Sequence, residues 1–146
     1  MATQIFVNLP VKDLQRSMDF FTQLGYTFNE QFTNEKAACM VISETIYAML
    51  LTEPFFKGFI LGNEISDTAN TKEVLIALSA DNRDAVNSLT DKAIAAGGKQ
   101  FREPEDHGFM YSRSFEDLDG HVWEVVWMDP AAVQPQEAAI AEVVAK

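Results

Sequence analysis

The sequence predicts an α+β fold of two successive βαβββ modules, and three observations carry that expectation. Apolar runs of strand length recur from Ile5 to Trp127. Two stretches place apolar residues at helical spacing, each after an Asp or Asn and each closed by glycine. Three further strand-like runs follow each helix, so the second half repeats the pattern of the first with few shared letters. The 146 residues, 47% hydrophobic and 23% charged, suit one compact domain.

In chain order, Ile5–Leu9 reads as a strand ending at Pro10. Asp13 caps a helix with Leu14, Met18, Phe21 and Leu24 on one face, and Gly25 stops it. Strands are expected over Tyr26–Phe32, Ala37–Ser43 and Ile46–Thr52. The linker Glu53–Thr71 carries Pro54-Phe55-Phe56 and a helical turn around Phe55–Ile60. Val74–Ser79 opens the second module. Asp81 or Asn82 caps its helix, whose apolar face is Val86, Leu89, Ala93 and Ile94, and Gly97-Gly98 ends it. Strands follow around Lys99–Arg102, Met110–Phe115 and Val122–Trp127. Module one thus covers about 4–53, the linker 54–72, module two 73–128 and a tail 129–146, where Glu137–Ala145 is expected as a short helix.

Lys and Arg number 11 against 22 Asp and Glu, a formal charge of −11. Such a surface repels phosphate backbones and anionic lipid headgroups, so nucleic acid and membrane are poor partners. Cys39 is the lone cysteine, which excludes an intrachain disulfide and a multi-thiolate metal site and favours a reducing cytoplasm. Met1–Pro10 lacks a basic n-region, and no apolar window approaches a membrane span. On a sheet strand with no local base, Cys39 reads as core packing.

Two segments carry a family pattern. Val11-Lys12-Asp13-Leu14-Gln15-Arg16-Ser17-Met18-Asp19-Phe20-Phe21 has the form V-x-D-L-x-x-S-x-x-F-F. Asp117-Leu118-Asp119-Gly120-His121-Val122-Trp123-Glu124 has the form D-x-D-G-H-x-W-E. In this order around a doubled βαβββ plan, over about residues 4–128, the chain resembles the glyoxalase/bleomycin-resistance/extradiol-dioxygenase superfamily, the vicinal oxygen chelate proteins. It is similar within it to bacterial predicted lactoylglutathione lyases. The resemblance implies curved mixed sheets around a cup, and a homodimer in which modules of both chains complete each cavity.

In metal-binding relatives four side chains from the first and last strands of each module hold the ion. The resemblance puts those positions at Phe6, at Leu50 (Met49 if the register slips by one), at Leu75 and at Glu124. Three are apolar and offer a cation no suitable lone pairs, so no metal and no cofactor is expected. His121 and Glu124 have opposite strand parity, so they do not rebuild a site with His107.

Strand parity groups Asn8 with Phe6, Ala77 with Leu75, and Val122 and Val126 with Glu124. Trp123 and Trp127 then pack under the helices. From Met110–Phe115, either Met110, Ser112 and Ser114 or Tyr111, Arg113 and Phe115 faces the cup, and parity leaves both open. The candidate ligand contacts are Phe6, Asn8, Leu50, Leu75, Tyr111, Arg113 and Glu124. Desolvation raises the pKa of a carboxyl in such a place unless Arg113 or a ligand cation pairs with it. Two functions follow. One is binding of a small, cationic or neutral molecule in an apolar cup. The other, which the resemblance implies, is lyase or isomerase chemistry on a small carbonyl or thiol conjugate, with Glu124 as the catalytic acid or base.

Overall fold

The computed structural model describes residues 2–132, so the expected helix over Glu137–Ala145 lies outside the described residues. The chain builds two separate mixed sheets. In the first, β1 (Ile5–Val11) runs parallel to β4 (Ile46–Thr52), which pairs antiparallel with β3 (Ala37–Val41), and β3 with β2 (Thr27–Asn29). In the second, β5 (Leu75–Ser79) runs parallel to β9 (Val122–Met128), which pairs antiparallel with β8 (Met110–Glu116). Two-residue strands β6 (Lys99–Gln100) and β7 (Glu105–Asp106) line the outer edge of β8. This is the expected α+β plan of two successive units, the second carrying one two-residue strand, β7, beyond the expected βαβββ.

Helix α1 (Leu14–Gln23) starts where the Asp13 carboxylate accepts the Arg16 N–H at 3.1 Å. Helix α3 (Arg83–Ala95) starts where Asn82 accepts the Ala85 N–H at 2.7 Å. A short helix, α2 (Glu53–Lys57), carries Pro54 in its first turn and opens the connection between the sheets. On α3 the buried positions are Val86, Thr90 and Ala93, while Ile94 points to solvent. Thr90 can be buried because its hydroxyl donates to the Val86 carbonyl at 2.9 Å.

Both helices pack on the same side of their sheets and against each other, so the modules share one core. Phe20 and Phe21 of α1 reach into module two. Phe21 meets the buried Trp123 edge-on at 5.4 Å, and Phe20 lies 6.4 Å from Phe115.

Two expected strands are shorter than their apolar runs. The chain leaves β2 at Asn29 for a 3₁₀ turn over Glu30–Phe32, because the Asn29 side chain accepts the Gln31 N–H at 3.0 Å. After β6, the Arg102 N–H bonds the Ser114 hydroxyl at 3.1 Å instead of a backbone carbonyl, and Pro104 has no N–H to offer.

The turn Asp117–His121 locks the modules together. Buried Asp117 accepts the N–H groups of Asp119 (2.9 Å) and His121 (3.0 Å) and the Trp123 indole N–H (3.0 Å). Burial pushes its carboxyl up in pKa, against the pull of nearby His121 and the indole. The buried His121 ring bonds the Pro10 carbonyl through Nε2 at 2.7 Å. Asp119 accepts the Lys12 N–H at 2.8 Å and the Ser17 hydroxyl at 3.1 Å. Gly120 has φ +82°, and a Cβ there would stand 2.9 Å from the Thr68 carbonyl, so the linker closes over the turn.

Candidate ligand-binding site

The side of each sheet away from the helices is the candidate cup wall. Strand alternation decides which side chains reach it. On β1 the helix side takes Leu9 and Val11, both buried. Phe6 and Asn8 therefore stand on the other face, where Phe6 is 48% exposed. Their partners across β4 are Tyr47 and Met49. The Phe6 ring stacks on Tyr47 at 4.8 Å. The Asn8 amide turns back to donate to the Phe6 carbonyl at 3.2 Å.

Leu50 is not on this wall. It pairs with Leu9 and Ala38, is fully buried, and belongs to the helix-side core. One residue of register moves a strand side chain to the opposite face, and the wall position is Met49. Cys39 pairs with Met49 and is buried, with its thiol pushed up in pKa by burial, as suits packing rather than a nucleophile.

In the second sheet Leu75 is 54% exposed, and Ala77 beside it pairs with Glu124. Tyr111 and Arg113 stand on the other face. The Tyr111 hydroxyl donates to Asn87 of α3 at 2.7 Å, and Arg113 bonds Asn87 (3.1 Å) and Asp91 (2.8 Å). The set that shares a face with Glu124 is Met110, Ser112 and Ser114, with Ser114 directly opposite Glu124. Both serines are buried.

The cation facing Glu124 is Arg102 rather than Arg113. One Arg102 amino group donates to Glu124 Oε1 and the other to Glu105 at 2.9 Å. Sequence reasoning missed Arg102, because nothing in Arg102-Glu103-Pro104-Glu105 announces a partner 22 positions on. Its backbone bond to Ser114 swings the side chain across the wall.

His107 lies in an exposed loop 3.6 Å from Glu105. That loop is held by Arg83, which grips both Asp106 oxygens at 2.8 Å and lies over the rings of Tyr111 and Trp127. The guanidinium keeps the Asp106 carboxyl well below the usual carboxylate range. Among the described residues, no three His, Cys, Asp or Glu side chains gather as metal ligands. No described helix is long and apolar enough to cross a membrane.

A separate cavity of about 640 Å³ opens between the linker and the module seam. Lys12, Glu53, Lys57, Asp67, Asp119 and His121 are among its lining residues. It lies at the carboxyl end of β1, away from Phe6.

Two open sheets of βαβββ connectivity, with a wall position from the first and last strand of each, define a protein of the cup-forming vicinal-oxygen-chelate type. Residues 4–125 match the family model of the glyoxalase/bleomycin resistance protein/dioxygenase superfamily, and the chain belongs to that superfamily. Among solved structures, a hypothetical protein from S. aureus is 26% identical, with a TM-score of 0.72 over 87% of this chain and 95% of that one. A glyoxalase/bleomycin resistance protein/dioxygenase family enzyme from Burkholderia phytofirmans PsJN has a TM-score of 0.74 at 19% identity, covering 87% and 99%. The fosfomycin resistance protein FosX from Listeria monocytogenes has a TM-score of 0.63 at 18% identity, covering 95% and 98%. The likeness to the last two is one of fold. No curated protein matches the chain.

Proposed function

We infer that this chain binds a small molecule in a largely apolar cup that a second copy completes, and that it does so without the metal of its relatives. The outward direction of both candidate walls carries the reading. The two helix sides share one core, so the walls of Phe6 and Leu75 turn away from it, and among the described residues no β-pairing joins the sheets. An isolated chain would leave these apolar side chains and the sheet edges in water, and a two-fold partner covers them. Apolar walls with a few polar anchors suit a small organic ligand.

A phenyl ring, a thioether and an alkyl chain stand at Phe6, Met49 and Leu75, and none suits a hard divalent ion. Glu124 alone keeps donor chemistry, and Arg102 engages it. These residues do not fit the family metal.

The rest of the reading is one domain over residues 1–146, with modules at about 4–53 and 73–128, working in a reducing cytoplasm and away from nucleic acid. A lyase role of the lactoylglutathione type would need Glu124 to reach a substrate proton, and Arg102 occupies that carboxylate instead.

Size-exclusion chromatography with light scattering tests the shared cup. The expected mass is that of two chains, about twice 16.3 kDa. A mass of one chain at micromolar concentration overturns the shared cup.

A further inference from the structure

We propose that the cavity between the linker and the module seam is a second binding site, separate from the cup, and that it takes a small organic ammonium ion through Nδ1 of His121 and the carboxylates of Glu53 and Asp119. The site stands apart from the cup reading, because Phe6, Asn8, Met49, Leu75 and Glu124 do not line this cavity. Three observations carry it.

The first is space. At about 640 Å³ the cavity has the size of a small-molecule site. Module one supplies Pro10 and Glu53, the linker Ile65 and Thr68, and module two Asp119 and His121. Pro10 and Ile65 give the apolar part of the wall.

The second is an unpartnered nitrogen. His121 is 3% exposed and lines the cavity. The Pro10 carbonyl only accepts, so Nε2 carries the proton of the bond between them. In the uncharged ring Nδ1 is then a lone-pair acceptor. Among the described residues nothing donates to it. Nor is it sealed in the core, because Nε of Arg113 is the only fully enclosed side-chain nitrogen or oxygen without a partner among the described residues. Nδ1 therefore keeps open surface, and this cavity is the space that His121 lines. A donor placed there completes the hydrogen bonding of the ring.

The third is the character of the lining. Its half-buried charged groups are Glu53 and Asp119, both acidic. The exposed ones are Lys12, Lys57, Glu64 and Asp67, which balance in charge at the rim. Both hydroxyls have already spent their protons. Ser66 donates to Glu73 at 2.8 Å, and Thr68 donates to the Asp119 carbonyl. Glu53, in the first turn of α2, has no ion-pair partner among the described residues. The Asp119 carboxylate uses two of its roughly four acceptor positions, for the Lys12 N–H and the Ser17 hydroxyl. The interior side chains thus offer acceptors and no donors, which attracts a cation rich in N–H groups and repels an anion. A metal ion does not fit, since among the described residues no three His, Cys, Asp or Glu side chains gather as ligands. An ammonium brings three donors on one nitrogen, and its apolar body meets Pro10 and Ile65.

Benzylamine, benzyl alcohol and benzoate are probes of similar size and of positive, zero and negative charge. Each is titrated at about pH 8, where histidine is uncharged and benzylamine is still protonated. NMR follows the ring nitrogens of both histidines and the backbone amides. Benzylammonium is expected to bind most tightly, moving Nδ1 of His121 and the amides of Lys12, Asp67 and Asp119. The ring of exposed His107 should stay in place as the internal control. Glu53→Gln should weaken benzylammonium roughly threefold to tenfold. Glu64→Gln, at the screened rim, should change it by less than about twofold. The order of the three probes on the wild type needs no variant, so the test survives a variant that misfolds.

Benzyl alcohol or benzoate binding as tightly as benzylammonium overturns the proposal. So does an unmoved Nδ1 of His121 at saturation, an undiminished affinity in folded Glu53→Gln, or the absence of saturable shifts with any probe. Shifts confined to Phe6, Ala77 and Glu124 would put the amine in the cup, which overturns this site and leaves the small-molecule reading of the cup standing.

Discussion

Replacing Leu50 and Met49 by alanine, one at a time, tests which face of β4 forms the cup wall. Leu50 is fully enclosed, with Leu9 and Ala38 as strand neighbours. Leu50→Ala removes three buried carbons and leaves a cavity that a two-module core refills only in part, for a loss of about 3 kcal/mol. An unfolding entropy of about 2.1 cal/mol/K per residue, over a chain of this length, makes that a fall in Tm of about 10 °C. Met49 is half-buried, so Met49→Ala loses part of one side chain's transfer energy, about 1 kcal/mol or less, and about 3 °C. Thermal and urea unfolding followed by circular dichroism read both values. Protein concentration is held fixed, because subunit association adds to apparent stability. Equal losses for the two variants, or a larger loss for Met49→Ala, would falsify the assignment of Met49 to the wall.

Asp106 supplies a pH test. Arg83 holds its carboxyl below the ordinary 3.8, so its contribution is fully present above that value and is lost as pH falls toward the depressed folded one. Asp106→Asn should therefore be less stable than the wild type at pH 7, with the gap closing below about pH 4. Urea curves that stay equally far apart down to pH 2 would sink that account. The metal-free reading is checked by following methylglyoxal–glutathione isomerisation with added Ni²⁺ or Zn²⁺ and with chelator. No rate above background is expected, and a metal-dependent rate would establish the lyase reading instead.

Element order is legible in this sequence because its signals are local. Asp13 and Asn82 cap their own helices, and Gly25 and Gly97 stop them. The shared core is legible in part. Trp123 was expected under the helices and is buried there, against Phe21 of the other module. Register is harder. The choice between Met49 and Leu50 turns on one residue of strand phase, and both are apolar, so composition does not separate them. The same holds for Met110–Phe115, where each parity offers polar groups. Asn87 and Asp91 on α3 decide it by binding Tyr111 and Arg113. Arg102 was illegible because its partner, Glu124, comes from the other side of β8 in the chain order. A side-chain bond at Ser114 that ends a strand early leaves no periodic trace.

The seam has a consequence for how the chain comes to fold. Pro10 to His121 and Ser17 to Asp119 are closures over more than a hundred residues. Such closures cost much chain entropy and slow folding. During synthesis module one emerges first, with Phe20 and Phe21 facing outward until Phe115 and Trp123 have been made. The motif that marks the family is thus also the clasp that finishes its assembly. The first module made alone would keep a greasy helix face and aggregate, even with every strand of its sheet present.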